Sequence, residues 1–177
     1  MRPVLVLLLA AACSDSSSMD TVDASGGGMP DTYDSARCLI KGDYGAVGSL
    51  AGSATMGANT LSATLDARPP RDSFFLKLTA GKGVFTGGVA TGTFTISGVD
   101  AGYLTCGLCV HIIADIVAGS GPSKFYFADS GTVTLTSTAP IMGSATNLHF
   151  TAVDINSGAK IADGCDATMA SIMFANP

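Results

Sequence analysis

Cys106-Gly107-Leu108-Cys109 and the two histidines, His111 and His149, are the residues of this chain best equipped for chemistry. Two thiols separated by two residues are the arrangement of a redox-active dithiol, in which one thiolate attacks a disulfide and its neighbour resolves the product. That chemistry needs a depressed thiol pKa, usually supplied by the N-terminus of a helix that the motif opens. Here the flanks are Tyr103-Leu104-Thr105 and Val110-His111-Ile112-Ile113, which read as strand. In a regular strand, residues three apart point to opposite faces at a Cα separation of about 10 Å, too far for a bond. Either Gly107-Leu108 makes a turn that lets Cys106 pair with Cys109, or each cysteine reaches a different partner.

Cys38 and Cys165 stand alone, so a zinc ribbon, which uses two close cysteine pairs, is not read here and no metal site is assigned. The histidines have no adjacent acidic residue or serine at a catalytic spacing. No Gly-x-Ser-x-Gly elbow, His-Glu-x-x-His or phosphate loop occurs. Both are expected as outward-facing strand residues. No catalytic residue and no cofactor site is assigned. Asp154-x-Asn156-x-Gly158 begins like a calcium loop, but Cys165 stands where the later carboxylate belongs, so a turn is expected. Phe125-Tyr126-Phe127 is the only aromatic cluster, and without tryptophan a sugar-stacking platform is weakly supported.

The elements that must position these groups are strands. Thr60-Leu61-Ser62-Ala63-Thr64-Leu65 alternates cleanly, as do residues 91–97 and 132–136. Residues 73–79 put Phe74, Leu76 and Leu78 on one face; 147–153 do the same with Leu148, Phe150 and Ala152. Residues 104–116 are the most apolar run, with Leu108, Val110, Ile112, Ala114 and Ile116 in phase, and should form a central strand. Turn signals separate these runs, among them Gly87-Gly88 and Asn156-Ser157-Gly158. Eight or more short strands without a helical period predict an all-β fold, specifically an antiparallel β-sandwich over residues 38–177. A transmembrane barrel is disfavoured because the outward phase is threonine and serine rather than a lipid-facing apolar band.

Composition agrees. All 14 acidic residues are aspartate against 9 Lys plus Arg, giving a net charge of -5, which argues against nucleic acid as a partner. Absent glutamate and scarce lysine remove the usual helix surface.

Ahead of the domain, residues 14–36 hold six serines, five aspartates and three glycines with almost nothing to bury, and a disordered tether is expected over 13–37. As a flexible coil it would hold the domain roughly 25 Å from its anchor on average. Residues 1–12 read as a signal peptide: Arg2, an apolar run from Val4, then Ala10-Ala11-Ala12 directly before Cys13. That run is too short to span a bilayer.

Ala10-Ala11-Ala12-Cys13 resembles the lipobox of bacterial lipoproteins, with alanine where the family usually has leucine three residues before the cysteine. The resemblance implies that Cys13 is the acylated first residue of the mature chain and that the membrane is a partner through this lipid. Ser14 after the cysteine implies outer-membrane sorting. An ordinary secretory cleavage after Ala12, giving a periplasmic or secreted protein, is the alternative. The whole layout resembles exported lipoproteins of myxobacteria that carry a single all-β domain. It implies an envelope-anchored, non-catalytic domain for binding a protein or glycan, or for a structural role. An exported enzyme, a hydrolase or a CxxC thiol oxidoreductase, is the rival. Export places the four domain cysteines in an oxidising compartment, where two disulfides are expected. Chain ends of compact domains lie close together, which pairs Cys38 with Cys165 and leaves Cys106 and Cys109 to each other.

Overall fold

The computed structural model describes residues 42–50, 54–57, 59–65, 71–119, 124–162 and 164–175. The expected signal peptide and tether, Cys13 and Cys38 lie outside these residues. By internal contacts the chain divides into two units, Met1–Pro30 and Asp31–Pro177, and all described residues belong to the second.

Among the described residues, nine strands follow in order: β1 Ala46–Ser49, β2 Ala54–Gly57, β3 Thr60–Thr64, β4 Arg71–Leu78, β5 Gly92–Ile96, β6 Leu108–Ile116, β7 Lys124–Thr138, β8 Ile141–Val153 and β9 Asp166–Phe174. Between them lie two short 3-10 turns, Gly83–Phe85 and Gly98–Ala101. The all-β expectation is met. The finer expectation of an antiparallel sandwich is not confirmed: the strands join one sheet in the order β1-β9-β8-β7-β6-β4-β3-β2, with β5 on β7. The sheet is mixed, because β1 runs parallel to β9. It curls into a half-barrel.

The curl has a direct measure. β4 and β9 are four steps apart in the sheet, which would separate them by roughly 19 Å if it were flat. Yet the Phe74 and Phe174 rings stack with centroids 6.5 Å apart. Alternation then fills the concave side: Ala63, Phe74, Ile112, Tyr126 and Ala152 form one cross-strand row, all buried.

The bend is built into the two long strands. The first half of β7 pairs with β6 through Lys124–Phe127 partners, whereas Gly131 to Leu135 pair with β5. Between these halves the β7–β8 register shifts around Ser130. Gly131 has φ +133, and a Cβ there would press on Leu148 and the Asn147 carbonyl. A side chain would block the bend at this point.

Sequence periodicity located β3, β4 and β5 closely. It split β7 and β8 too finely, because residues 132–136 and 147–153 are segments of strands 15 and 13 residues long. β6 is central as expected but starts at Leu108, not at 104. Its apolar phase ends at Asp115, which takes φ +59 where the β4–β6 register shifts. The Asp115 backbone N–H donates to Asp72 Oδ1 at 3.4 Å, and the Tyr44 hydroxyl donates to Asp72 Oδ2 at 2.6 Å.

Candidate functional site

Residues of the outward phase make a second row across the convex face. Phe75 on β4, His111 on β6, Phe127 on β7, Thr151 on β8 and Asp166 on β9 are successive register partners. Tyr103, from the loop before β6, lies over this row with its ring edge-on to His111 and to Phe127. Cys106, Cys109, Phe127 and Val153 pack there with Tyr103 and Phe125 into a small apolar cluster, separate from the main core. The aromatic triplet is thereby divided: Tyr126 enters the main core, while Phe125 and Phe127 serve the outer cluster.

His111 is an outward-phase residue, as expected, but it is covered. Its ring lies parallel to Phe75, 3° between planes and 5.0 Å between centroids. Burial, followed by the nearby positive charge of Lys77, lowers its pKa from 6.5 to about 4. Its Nδ1 is buried without a hydrogen-bond partner, as is Thr151 Oγ1 on the far side of Phe127. His111 is therefore a neutral packing residue at pH 7.

His149 is more open. Its Nδ1 is 2.7 Å from Asp129 Oδ1, and its Nε2 is 3.9 Å from Asp166 Oδ2, which also meets Lys160 through its other oxygen at 3.7 Å. A His–Asp pair activates a nucleophile only if the free ring nitrogen faces one, and here that nitrogen faces a carboxylate. Two strand spacings and two residues along the strand put the histidines roughly 12 Å apart, too far to act on one atom. Among the described residues, no group of three or more His, Cys, Asp or Glu is placed to hold a metal ion.

Cys106 and Cys109 form a disulfide, with Cα atoms 5.3 Å apart. The cysteines do pair with each other, but the hydrogen-bonded turn lies before the motif rather than at Gly107-Leu108: the Cys106 N–H donates to the Gly102 carbonyl, and Leu108 already belongs to β6. Gly107 lies against the Lys82 carbonyl so closely that a Cβ could not be accommodated. Both sulfur residues are buried, at 3% and 8% exposure, which leaves an attacking thiolate little access. Cys165 is also disulfide-bonded. The expected Cys38–Cys165 pairing involves a residue outside those described.

The residue that sequence reasoning missed is Asp100. It is buried at 2% exposure, and its Oδ1 accepts the N–H groups of Gly107 at 2.8 Å and Leu108 at 2.9 Å. Its Oδ2 accepts the Val84 N–H at 2.8 Å. One carboxylate thus ties together both 3-10 turns and the disulfide loop. The only local signal was an aspartate within an otherwise apolar and glycine-rich stretch. Asp154 acts likewise but at the surface: Oδ1 accepts from the Asn156 and Ser157 N–H groups and the Ser157 hydroxyl. Those bonds, the Ser157 amide first, lower its pKa, and the expected turn is present.

No family model, no curated protein and no solved structure matches this chain.

Proposed function

We propose that the protein is a lipid-anchored protein of the bacterial envelope, sorted to the outer membrane through Cys13, with a β domain in a non-catalytic binding or structural role. The two facing halves of the curled sheet then serve as the layers of a sandwich would. The observation that carries the non-catalytic reading is how the reactive side chains are spent. His111 is stacked and uncharged, the CxxC sulfurs are bonded to each other and buried, and Asp100 collects backbone amides. Each secures a loop or a strand, and none opens toward a shared reacting atom.

The anchor reading rests on Ala10-Ala11-Ala12-Cys13 and on the arithmetic of lipid attachment. A diacylglyceryl thioether with a further acyl chain holds a protein stably, where a single chain does not. Cys13→Ser should move the protein from a carbonate-washed membrane fraction into the soluble fraction, and mass spectrometry of the native protein should find the lipid on the Cys13 peptide. A variant that stays with washed membranes overturns the anchor.

A further inference from the structure

We propose that β5 is the contact edge of a homodimer, where a second copy of this chain adds its own β5 antiparallel across a two-fold axis and continues the sheet. Among the described residues three strands pair on one side alone: β1, β2 and β5. An unpaired edge is a template for a strand of another chain, and proteins blunt the edges they keep free with brevity, bulges, charge or proline. β1 and β2 are blunted in this way, with four residues each and a register shift that interrupts β1. β5 is not. Its five residues keep register with β7 without a shift, and residues 83–99 contain neither a charge nor a proline.

The approach to this edge is open. Thr91, Gly92, Thr93 and Thr95 are exposed, and among the described residues no backbone group of Gly92–Ile96 bonds outside β7. A Cβ on Gly87, Gly88 or Gly98 would meet nothing within 4 Å, so no bulk flanks either end of the strand. The core is also unfinished on this side. Val89 and Phe94 pack against it yet are only partly buried, and a strand laid beyond β5 would cover them.

Charge favours a second copy as the occupant. A chain of net charge -5 repels its own kind over most approaches. Residues 83–99 and 130–148, which hold β5 and the stretches of β7 and β8 beside it, carry no charge at all. Two copies that meet at β5 therefore bring no like charges together. Pairing about Phe94 sets that ring opposite its counterpart on the inner face, and Thr93 opposite the second copy's Thr95 on the outer face. Aromatic and threonine pairs are both favourable cross-strand neighbours. A two-fold contact of this kind closes on itself and stops at two chains. The inference goes beyond the anchor and does not depend on it.

Native mass spectrometry of the full-length protein in mild detergent counts the chains. The natural sequence should give a dimer, and Thr95→Lys, an exposed change that puts a cation on the edge, should abolish it. Thr146→Lys, equally exposed but on β8, should leave the dimer intact. Two chains held in one micelle by their lipids would survive Thr95→Lys, so a dimer indifferent to that change overturns the edge contact and leaves the anchor standing. A monomeric natural chain overturns the edge contact too. Loss of the dimer in both lysine variants moves the contact to the outer face of β8 and overturns it at β5. The register has its own test. Directly opposite residues of an antiparallel pair lie within disulfide reach, so an equimolar mixture of Thr93→Cys and Thr95→Cys chains should give, on oxidation, a peptide linking positions 93 and 95. Val117→Cys, 48% exposed beyond the far end of β6, should not cross-link to itself. Mixed chains that stay unlinked overturn the pairing about Phe94.

Discussion

His111 and Phe75 face each other in register across β6 and β4, their rings 3° from parallel, and this pairing keeps the imidazole out of water. The folded pKa of about 4 lies below the unfolded value of 6.5, so between those values the unfolded chain binds the extra proton. Stability is then fully present above about pH 6.5 and is lost as the pH falls toward 4, by up to about 3 kcal/mol. His111→Phe should flatten that slope. Urea unfolding at pH 4.5 and pH 7 measures it; an unchanged pH dependence in the variant would show that His111 is already solvated.

Asp100→Asn keeps the shape of the side chain but replaces one acceptor oxygen with a donor. If the amide oxygen stays with Gly107 and Leu108, its nitrogen faces the Val84 N–H. The expected loss is about 1–3 kcal/mol. Hydrogen exchange at Val84, Gly107 and Leu108 should quicken together, and protection that persists at all three would contradict the clasp.

The Cys106–Cys109 ring closes very little chain. The loop-entropy relation gives it only about 2 kcal/mol, and a bridge from Cys38 to Cys165 would constrain far more of the unfolded chain. Non-reducing peptide mapping should recover Cys106 linked to Cys109, and Cys38 linked to Cys165. A peptide joining Cys38 to either central cysteine would refute the pairing.

Phe74→Ala removes one side of the ring contact that holds the curl closed. Phe74 is fully buried, so the cost should be about 3–5 kcal/mol, with no compensation from solvent. Denaturant midpoints decide this. A cost near zero would mean that the two ends of the sheet do not pack on each other.

How far the fold could be read from the chain differs from strand to strand. In β4 the alternation of Phe74, Leu76 and Leu78 with Phe75 and Lys77 gave both the element and its inner face. In β7 and β8 it gave only fragments, because bulges around Ser130 reverse the phase partway and a two-residue turn joins the strands. The same reversal hides a single bent sheet behind the pattern of two separate ones. Both histidines were correctly placed on the outward phase, but their fates were not legible. One is covered by Tyr103 from another loop, and the other meets aspartates from β7 and β9.

Period-two patterning, missing glutamate and well-spaced turn residues were enough to determine an all-β chain, its inward-facing residues and most strand positions. Those properties depend on neighbours along the backbone, and the period of a strand is fixed by its own geometry. Tertiary structure alone decided the parallel β1–β9 pair, the contact of Phe74 with Phe174, and the burial of Asp100 among three amides from two segments. Each joins residues distant in sequence, and a cross-strand or loop contact leaves no period in the chain. An aspartate reads as a surface residue until the fold surrounds it with donors that need a charge.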